Sequence, residues 1–254
     1  MRRPLTERRR DWRDRAVAPR EQQLAPHARR IDAQAAFPRE NLRAIREAGL
    51  FFVGVPQELG GAGADGVGTA LVCEELARGS ASTATVFAMH VNSRWPWAAP
   101  EQRRRYVEPG VRQGLLATHA TTSGAPAPGS GTTCPTPRGR AWLTPLGGEG
   151  LRHLGGGGGR LLVFDPPGRR RGAGRGHPLL RGRGGWAATD EWRGLCLLGQ
   201  RSARMVFTDV PVPEGAAVQP DGTPFTAGVK PTLEALSSTP VPPSWGWPRC
   251  WSAT

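Results

Sequence analysis

The side chains that could do chemistry are few and far apart. Four cysteines, Cys73, Cys134, Cys196 and Cys250, form no C-x-x-C pair, and no Cys/His cluster has the spacing of a zinc site. They read as unpaired thiols of a reducing compartment. His27 has no second ligand type one turn away, so it reads as a surface or stripe residue. Gly61-Ala62-Gly63-Ala64-Asp65-Gly66 fits G-x-G-x-x-G formally. That pattern cradles a dinucleotide only between the strand and the helix of a βαβ unit. Pro56 and several polar residues precede it and no strand–helix series follows, so it reads as an inter-helix loop. The carboxylates Glu149, Asp165, Glu214 and Glu234 lie in loops or irregular stretches, with no partner that would mark one as a general base.

The elements that must position any site are clearest between Phe37 and His90. Pro38 suits a first helical position, where its missing N–H costs nothing. Leu42, Ile45 and Ala48 then recur at helical spacing, with Arg39, Arg43, Arg46 and Glu47 turned outward. Gly49 is placed to end this helix in the left-handed conformation. An apolar run, Leu50 to Val55, stops at Pro56. A second helix carries Ala70, Leu71, Cys73, Leu76 and Ala77, with Glu74 and Glu75 expected to face water. A third, Ser82 to His90, is apolar on most sides and therefore buried. Upstream, residues 5 to 36 read as an Arg-rich helical lead-in interrupted at Pro19 and Pro26, with Leu24, His27 and Ile31 on a narrow stripe. Glu101 to Gln113 reads as a further helix.

Beyond it the period changes. Leu115 to Thr122 is apolar and β-prone, and the Pro/Gly-rich turn Ser123 to Ser130 follows. Ala141 to Thr144, Leu161 to Phe164 and Met205 to Phe207 read as strands, and Val210 to Pro213 as an extended edge. Five glycines, Gly155 to Gly159, and the Gly/Arg-rich stretch Arg169 to Gly185 have almost nothing to bury.

FPRENLRAIREAGLFFVGVPQELGGAGADG, followed by EELARGSASTA and an apolar run ending in Met89-His90, resembles the N-terminal helical domain of the acyl-CoA dehydrogenase family. Trp192 to Val218 is similar to the end of that family's middle domain. The resemblance implies an α+β fold: an all-α helical domain over 1–113, then a partial antiparallel β-barrel domain over 114–218 that binds flavin and acyl-CoA. Residues 219–254 would be a disordered tail or out-of-frame remnant, with the family's C-terminal helical bundle absent. The islands that fit, separated by Gly/Arg/Pro stretches, are what local shifts of reading frame would leave.

The resemblance further implies FAD as cofactor and α,β-dehydrogenation of an acyl-CoA thioester. A strand end and loop of the family meet the flavin ring, and carried over they fall on Ala120, Thr121, Thr122 and Ser123, with Ser130 near the thioester. Ser123 stands where the family has glutamate, and Ser130 aligns only if two extra residues are allowed. The family's base lies in the bundle, so this chain is expected to be truncated and inactive alone, with no catalytic residue of its own. An electron-transfer acceptor and a homotetramer are implied as partners. A flavin-dependent monooxygenase of the same fold, an Arg-rich nucleic-acid binder and a pseudogene product are the alternatives.

The totals bear on the nucleic-acid alternative. The 254-residue chain carries +13 at neutral pH, which by itself points to polyanions. Yet only Lys230 is lysine, and Arg, Gly, Pro and Ala are favoured throughout, as GC-rich codons would dictate. Aromatic residues are not interleaved with the arginines as a base-stacking platform requires. The N-terminus is charged with no apolar signal core, and no run is long enough to span a membrane. The sequence therefore predicts a soluble, cytoplasmic protein without nucleic-acid or membrane partners.

Overall fold

The computed structural model describes residues 5–92, 100–120, 122–123, 139–142, 160–163, 177–181, 186–191, 195–200, 203–207 and 217–218. They fall into two compact units, one built from residues 5–92 and 195–200 and the other from the remainder.

The first unit is helical. Thr6 caps α1 (Glu7–Arg15), its hydroxyl accepting from the Arg9 N–H at 3.3 Å. α1 packs along α5 (Gly66–Gly79) and buries Trp12. The chain then runs through α2 (Val17–Pro19), a π-helical turn (Arg20–Leu24) and α3 (Ala25–Ala33). The expected interruption at Pro19 and Pro26 is thus corrected to a widened turn. In an α-helix the Pro26 ring would collide with the Gln22 carbonyl and leave it without a donor. The turn opens instead, and the Ala25 N–H reaches back to the Arg20 carbonyl.

α4 (Arg39–Glu47) buries Leu42 and Ile45. Gly49 ends it at φ +70°, where any Cβ would be strained. The Leu50–Val55 run forms consecutive turns and sends Leu50, Phe51, Val53 and Val55 into the core. Asp65 caps α5 by accepting from the Gly68 N–H at 2.7 Å. The Gly61–Gly66 loop therefore follows a 3₁₀ turn (Gln57–Leu59) and opens a helix with no strand before it, which removes the dinucleotide-binding context. α6 (Ala81–Asn92) is buried along its length, as its apolar circumference predicts. Phe51, Phe87, Leu24, Ile45, Leu50 and Leu76 are among the largest fully buried side chains, each contributing roughly 1.5–3 kcal/mol of burial. Residues 195–200 close the unit: a Cβ on Gly199 would lie 2.2 Å from Ile31 Cγ2 of α3, so only glycine fits that seat.

The second unit begins with α7 (Pro100–Gln102), a second π-helical turn (Arg103–Val107) and α8 (Glu108–Arg112). Pro109 lies two residues past that turn, as Pro26 does past the first, and the Glu108 N–H reaches back to Arg103. Eight strands follow among the described residues: β1 (Ala117–Ala120), β2 (Thr122–Ser123), β3 (Gly139–Trp142), β4 (Arg160–Val163), β5 (His177–Arg181), β6 (Trp186–Glu191), β7 (Ala203–Phe207) and β8 (Ala217–Val218). They make two four-stranded sheets, in the orders β1-β4-β5-β8 and β2-β3-β7-β6.

Two expectations are corrected here. Pairing is not wholly antiparallel, because β1 runs parallel to β4, with Ala117 opposite Arg160 and Ala120 opposite Val163. The Arg169–Gly185 stretch, read as having almost nothing to bury, holds β5, which sets Leu179 and Leu180 opposite Leu162 and Leu161. The expected edge at Val210–Pro213 and the tail from 219 lie outside the described residues.

Candidate functional site

The residues carried over for cofactor binding straddle a strand junction. Ala120 ends β1, which hydrogen-bonds to β4 in one sheet. Thr122 and Ser123 form β2, opposite Trp142 and Ala141 in the other. The chain therefore changes sheets between Ala120 and Thr122, the kind of corner at which backbone N–H groups pass from one ladder to the next. Thr121 and Ser130 lie outside the described residues, as do Glu149, Asp165, Glu214 and Glu234. Threonine and serine supply N–H and O–H donors and no acid, a donor set suited to an acceptor that gains negative charge.

The helical unit carries polar groups that the sequence pattern placed wrongly. Glu75, expected to face water, is 3% exposed. Its carboxylate is gripped by Arg20 from the π-helical turn and by Arg78 one turn along α5, and Arg78 also holds Glu74 at 2.6 Å. Two guanidiniums offset the cost of burying this charge, which otherwise amounts to several kcal/mol. The signal that could have found it is the spacing: Glu74, Glu75 and Arg78 stand i, i+1, i+4, and the helix can turn only one acid fully outward. His90 is fully buried, its Nε2–H donating to the Phe51 carbonyl at 2.9 Å, with the ring 4.0 Å from that of Phe51. It ties α6 to the turns after α4.

Two thiols differ sharply. Burial pushes the Cys73 thiol up to about 12, whereas Cys196 is exposed. Cys73 is thus a core residue without nucleophilic character at neutral pH. Asp65 is held below the usual carboxylate range chiefly by its hydrogen bond from Arg9; burial opposes this, and the Gly68 N–H and the charges of Arg9 and Arg8 add to the lowering. Both groups serve the fold. Among the described residues no cluster of His, Cys, Asp and Glu could hold a metal ion, and no helix is long and apolar enough to cross a membrane.

The chain is similar in sequence and in fold to known proteins. Residues 6–113 match the model of the acyl-CoA dehydrogenase N-terminal domain. A probable acyl-CoA dehydrogenase, FadE25 of Mycobacterium tuberculosis, is 44% identical over 70 residues, which are 28% of this chain and 18% of that protein. The mitochondrial short-chain specific acyl-CoA dehydrogenase of Homo sapiens is 31% identical over 131 residues, 48% of this chain and 31% of the human one. The structure of butyryl-CoA dehydrogenase from Megasphaera elsdenii superimposes with a TM-score of 0.74 at 20% identity, covering 93% of this chain and 64% of its own. The fold is therefore of the acyl-CoA dehydrogenase type. Residues 6–113, less than half of the chain, carry the sequence likeness to the acyl-CoA dehydrogenase N-terminal domain. The matched segments span about a fifth to a third of those two curated relatives.

Proposed function

We propose that this chain is part of an acyl-CoA dehydrogenase-like flavoprotein, acting in the α,β-dehydrogenation of an acyl-CoA thioester. The observation that carries the reading is the family match over residues 6–113, supported by the fold likeness across most of the chain. In this proposal the domains divide at 113 and 218, and the two four-stranded sheets belong to a partial β barrel.

FAD suits the junction between β1 and β2. Ala120, Thr121, Thr122 and Ser123 would hold it, and Ser130 would lie toward the acyl thioester. When bound, FAD supplies the acceptor for the hydride leaving the β-carbon. The chain's own residues would bind and orient it: amide and hydroxyl donors would stabilise the negative charge that accumulates on the ring, and donors fixed in place would avoid reorganisation during the reaction. No carboxylate of this sequence is assigned as the base, so the 254 residues alone bind without turning over. An electron-transfer acceptor and a homotetrameric assembly complete the proposal for the active enzyme, in the cytoplasm.

The test is flavin retention after gel filtration of the purified chain mixed with FAD, followed by assay with octanoyl-CoA and an artificial electron acceptor. Co-eluting FAD that is lost in Thr122→Ala/Ser123→Ala, with no turnover, is the expected result. Failure of the folded chain to retain any flavin overturns the cofactor assignment, and turnover overturns the missing base.

A further inference from the structure

The helical unit holds a buried run of hydrogen bonds that the proposed chemistry does not use. It begins at His27 on α3, which is half-buried. Three groups converge on the one ring nitrogen, Nδ1. Gln23 Nε2, from the π-helical turn, is 2.8 Å away, Asn41 Oδ1 of α4 is 3.4 Å away, and the Glu40 carboxylate of α4 is 3.7 Å away. From Asn41 the run continues inward: Nδ2 donates to Thr83 Oγ1 of α6 at 2.9 Å, and Thr83 Oγ1 donates to Ser80 Oγ at 2.9 Å. Ser80 Oγ also accepts from the Thr83 N–H at 3.3 Å. Asn41 and Thr83 are fully buried.

Nδ1 cannot satisfy all three neighbours in one protonation state. Neutral and unprotonated at Nδ1, the ring accepts from the Gln23 amide and turns a lone pair toward the lone pairs of Asn41 Oδ1. Protonated, it donates to Asn41 Oδ1 or Glu40 and has an N–H facing the N–H of Gln23. The partners for both states are therefore already assembled. The other charged groups around the ring do not settle the choice. Arg30, one turn along α3, already holds Glu40 at 2.8 Å, while on the neighbouring elements Arg20 and Arg78 are committed to Glu21, Glu74 and Glu75. α6 contributes only the Thr83 hydroxyl to the run, and Ser80 stands between α5 and α6. Each hydroxyl can donate or accept, and the amide can turn over, so the direction of the whole run is free to follow the ring.

We propose that His27 is a proton-operated switch on the contact between α3, α4 and α6. Deprotonation leaves the ring with Gln23 and frees the Asn41 carbonyl oxygen. Protonation transfers the ring to Asn41 and Glu40 and fixes the polarity Asn41 to Thr83 to Ser80.

Nuclear magnetic resonance of the folded full chain tests this without any variant. The side-chain amide signals of Asn41 and the backbone N–H of Thr83 are followed while the His27 ring signals report its titration. Both should shift in step with the ring, and the Gln23 side-chain amide should shift with them. In Thr83→Val, the Asn41 shift should persist while the residue-83 N–H no longer follows the ring. Asn41 and Thr83 signals that stay flat throughout the His27 titration overturn the proposal. So does a response in Thr83→Val identical to that of the wild type at both sites.

Discussion

In the helical unit, much of what fixes an element lies within a turn or two of it. Asp65 caps α5 through Gly68, Gly49 ends the helix it follows, and Arg78 reaches Glu74 and Glu75 along one helix face. In the strand unit, the partners lie far along the chain. Ala117 pairs with Arg160, Gly139 with Phe207, and His177 with Val218. The first kind of information is carried by short motifs, so it survives where the rest of a sequence drifts. The second depends on distant segments meeting in one register, where a slip of one residue turns every side chain to the other face.

The sharpest test of this contrast is a backbone lesion in each unit. β7 lies between β3 and β6 and is bonded to both. Met205→Pro removes a ladder donor from a central strand and should abolish the strand signal in circular dichroism. Survival of the full strand signal would show that the sheet does not depend on β7.

In the helical unit the largest expected loss is from Glu75→Ala, which leaves the part-buried Arg20 and Arg78 without their carboxylate. The cost should be about 3 kcal/mol, read from the midpoint of urea unfolding of the helix signal. A loss under about 1 kcal/mol would place the pair with ordinary surface ion pairs. Gly199→Ala should cost about 2 kcal/mol, because its methyl meets Ile31 and the Ala36 carbonyl. Asp65→Ala removes the α5 cap and should cost about 1 kcal/mol.

The Asp65 effect carries a pH signature. Its folded-state pKa is depressed, so its contribution is present above the ordinary carboxylate pKa and fades as pH falls through the folded value. The gap between wild type and Asp65→Asn should therefore close in acid. A gap that stays constant with pH would assign the whole effect to the cap's shape.

The smallest expected effect at neutral pH is at Cys73. Its thiol is neutral in folded and unfolded chains alike, and iodoacetamide should leave it unlabelled in the native protein while modifying the exposed Cys196, as peptide mapping would show. Above the ordinary thiol value of 9.0 the unfolded chain ionises first, so stability should fall as pH rises toward about 12. Rapid native labelling of Cys73 would mean that α5 opens locally.

Much of the helical unit was legible before any coordinates. α4, its glycine stop, the loop after Pro56, α5 and the buried α6 follow from apolar spacing and capping residues. Three features there were not. The prolines at 19 and 26 read as breaks, because a π-helical turn is recognised by which carbonyl an N–H finds and leaves no period in the sequence. Glu75 read as exposed because its neutralising Arg20 stands on another element. The close seat of Gly199 has no local mark at all. In the strand unit β1, β3, β4 and β7 were legible as short apolar runs, whereas β5 was hidden among arginines and glycines. The candidate binding residues were placed by likeness to a family, and the structure locates Ala120, Thr122 and Ser123 at a junction between sheets that no periodicity could announce.

By itself, then, the sequence determined where helices start and stop and which faces are apolar, because those depend on neighbours three or four residues away. The tertiary structure alone decided that β1 runs parallel to β4, that the chain changes sheets after Ala120, and that a carboxylate can be buried at position 75. Each of these depends on groups brought together from distant positions, and their free energies exist only once both partners are in place.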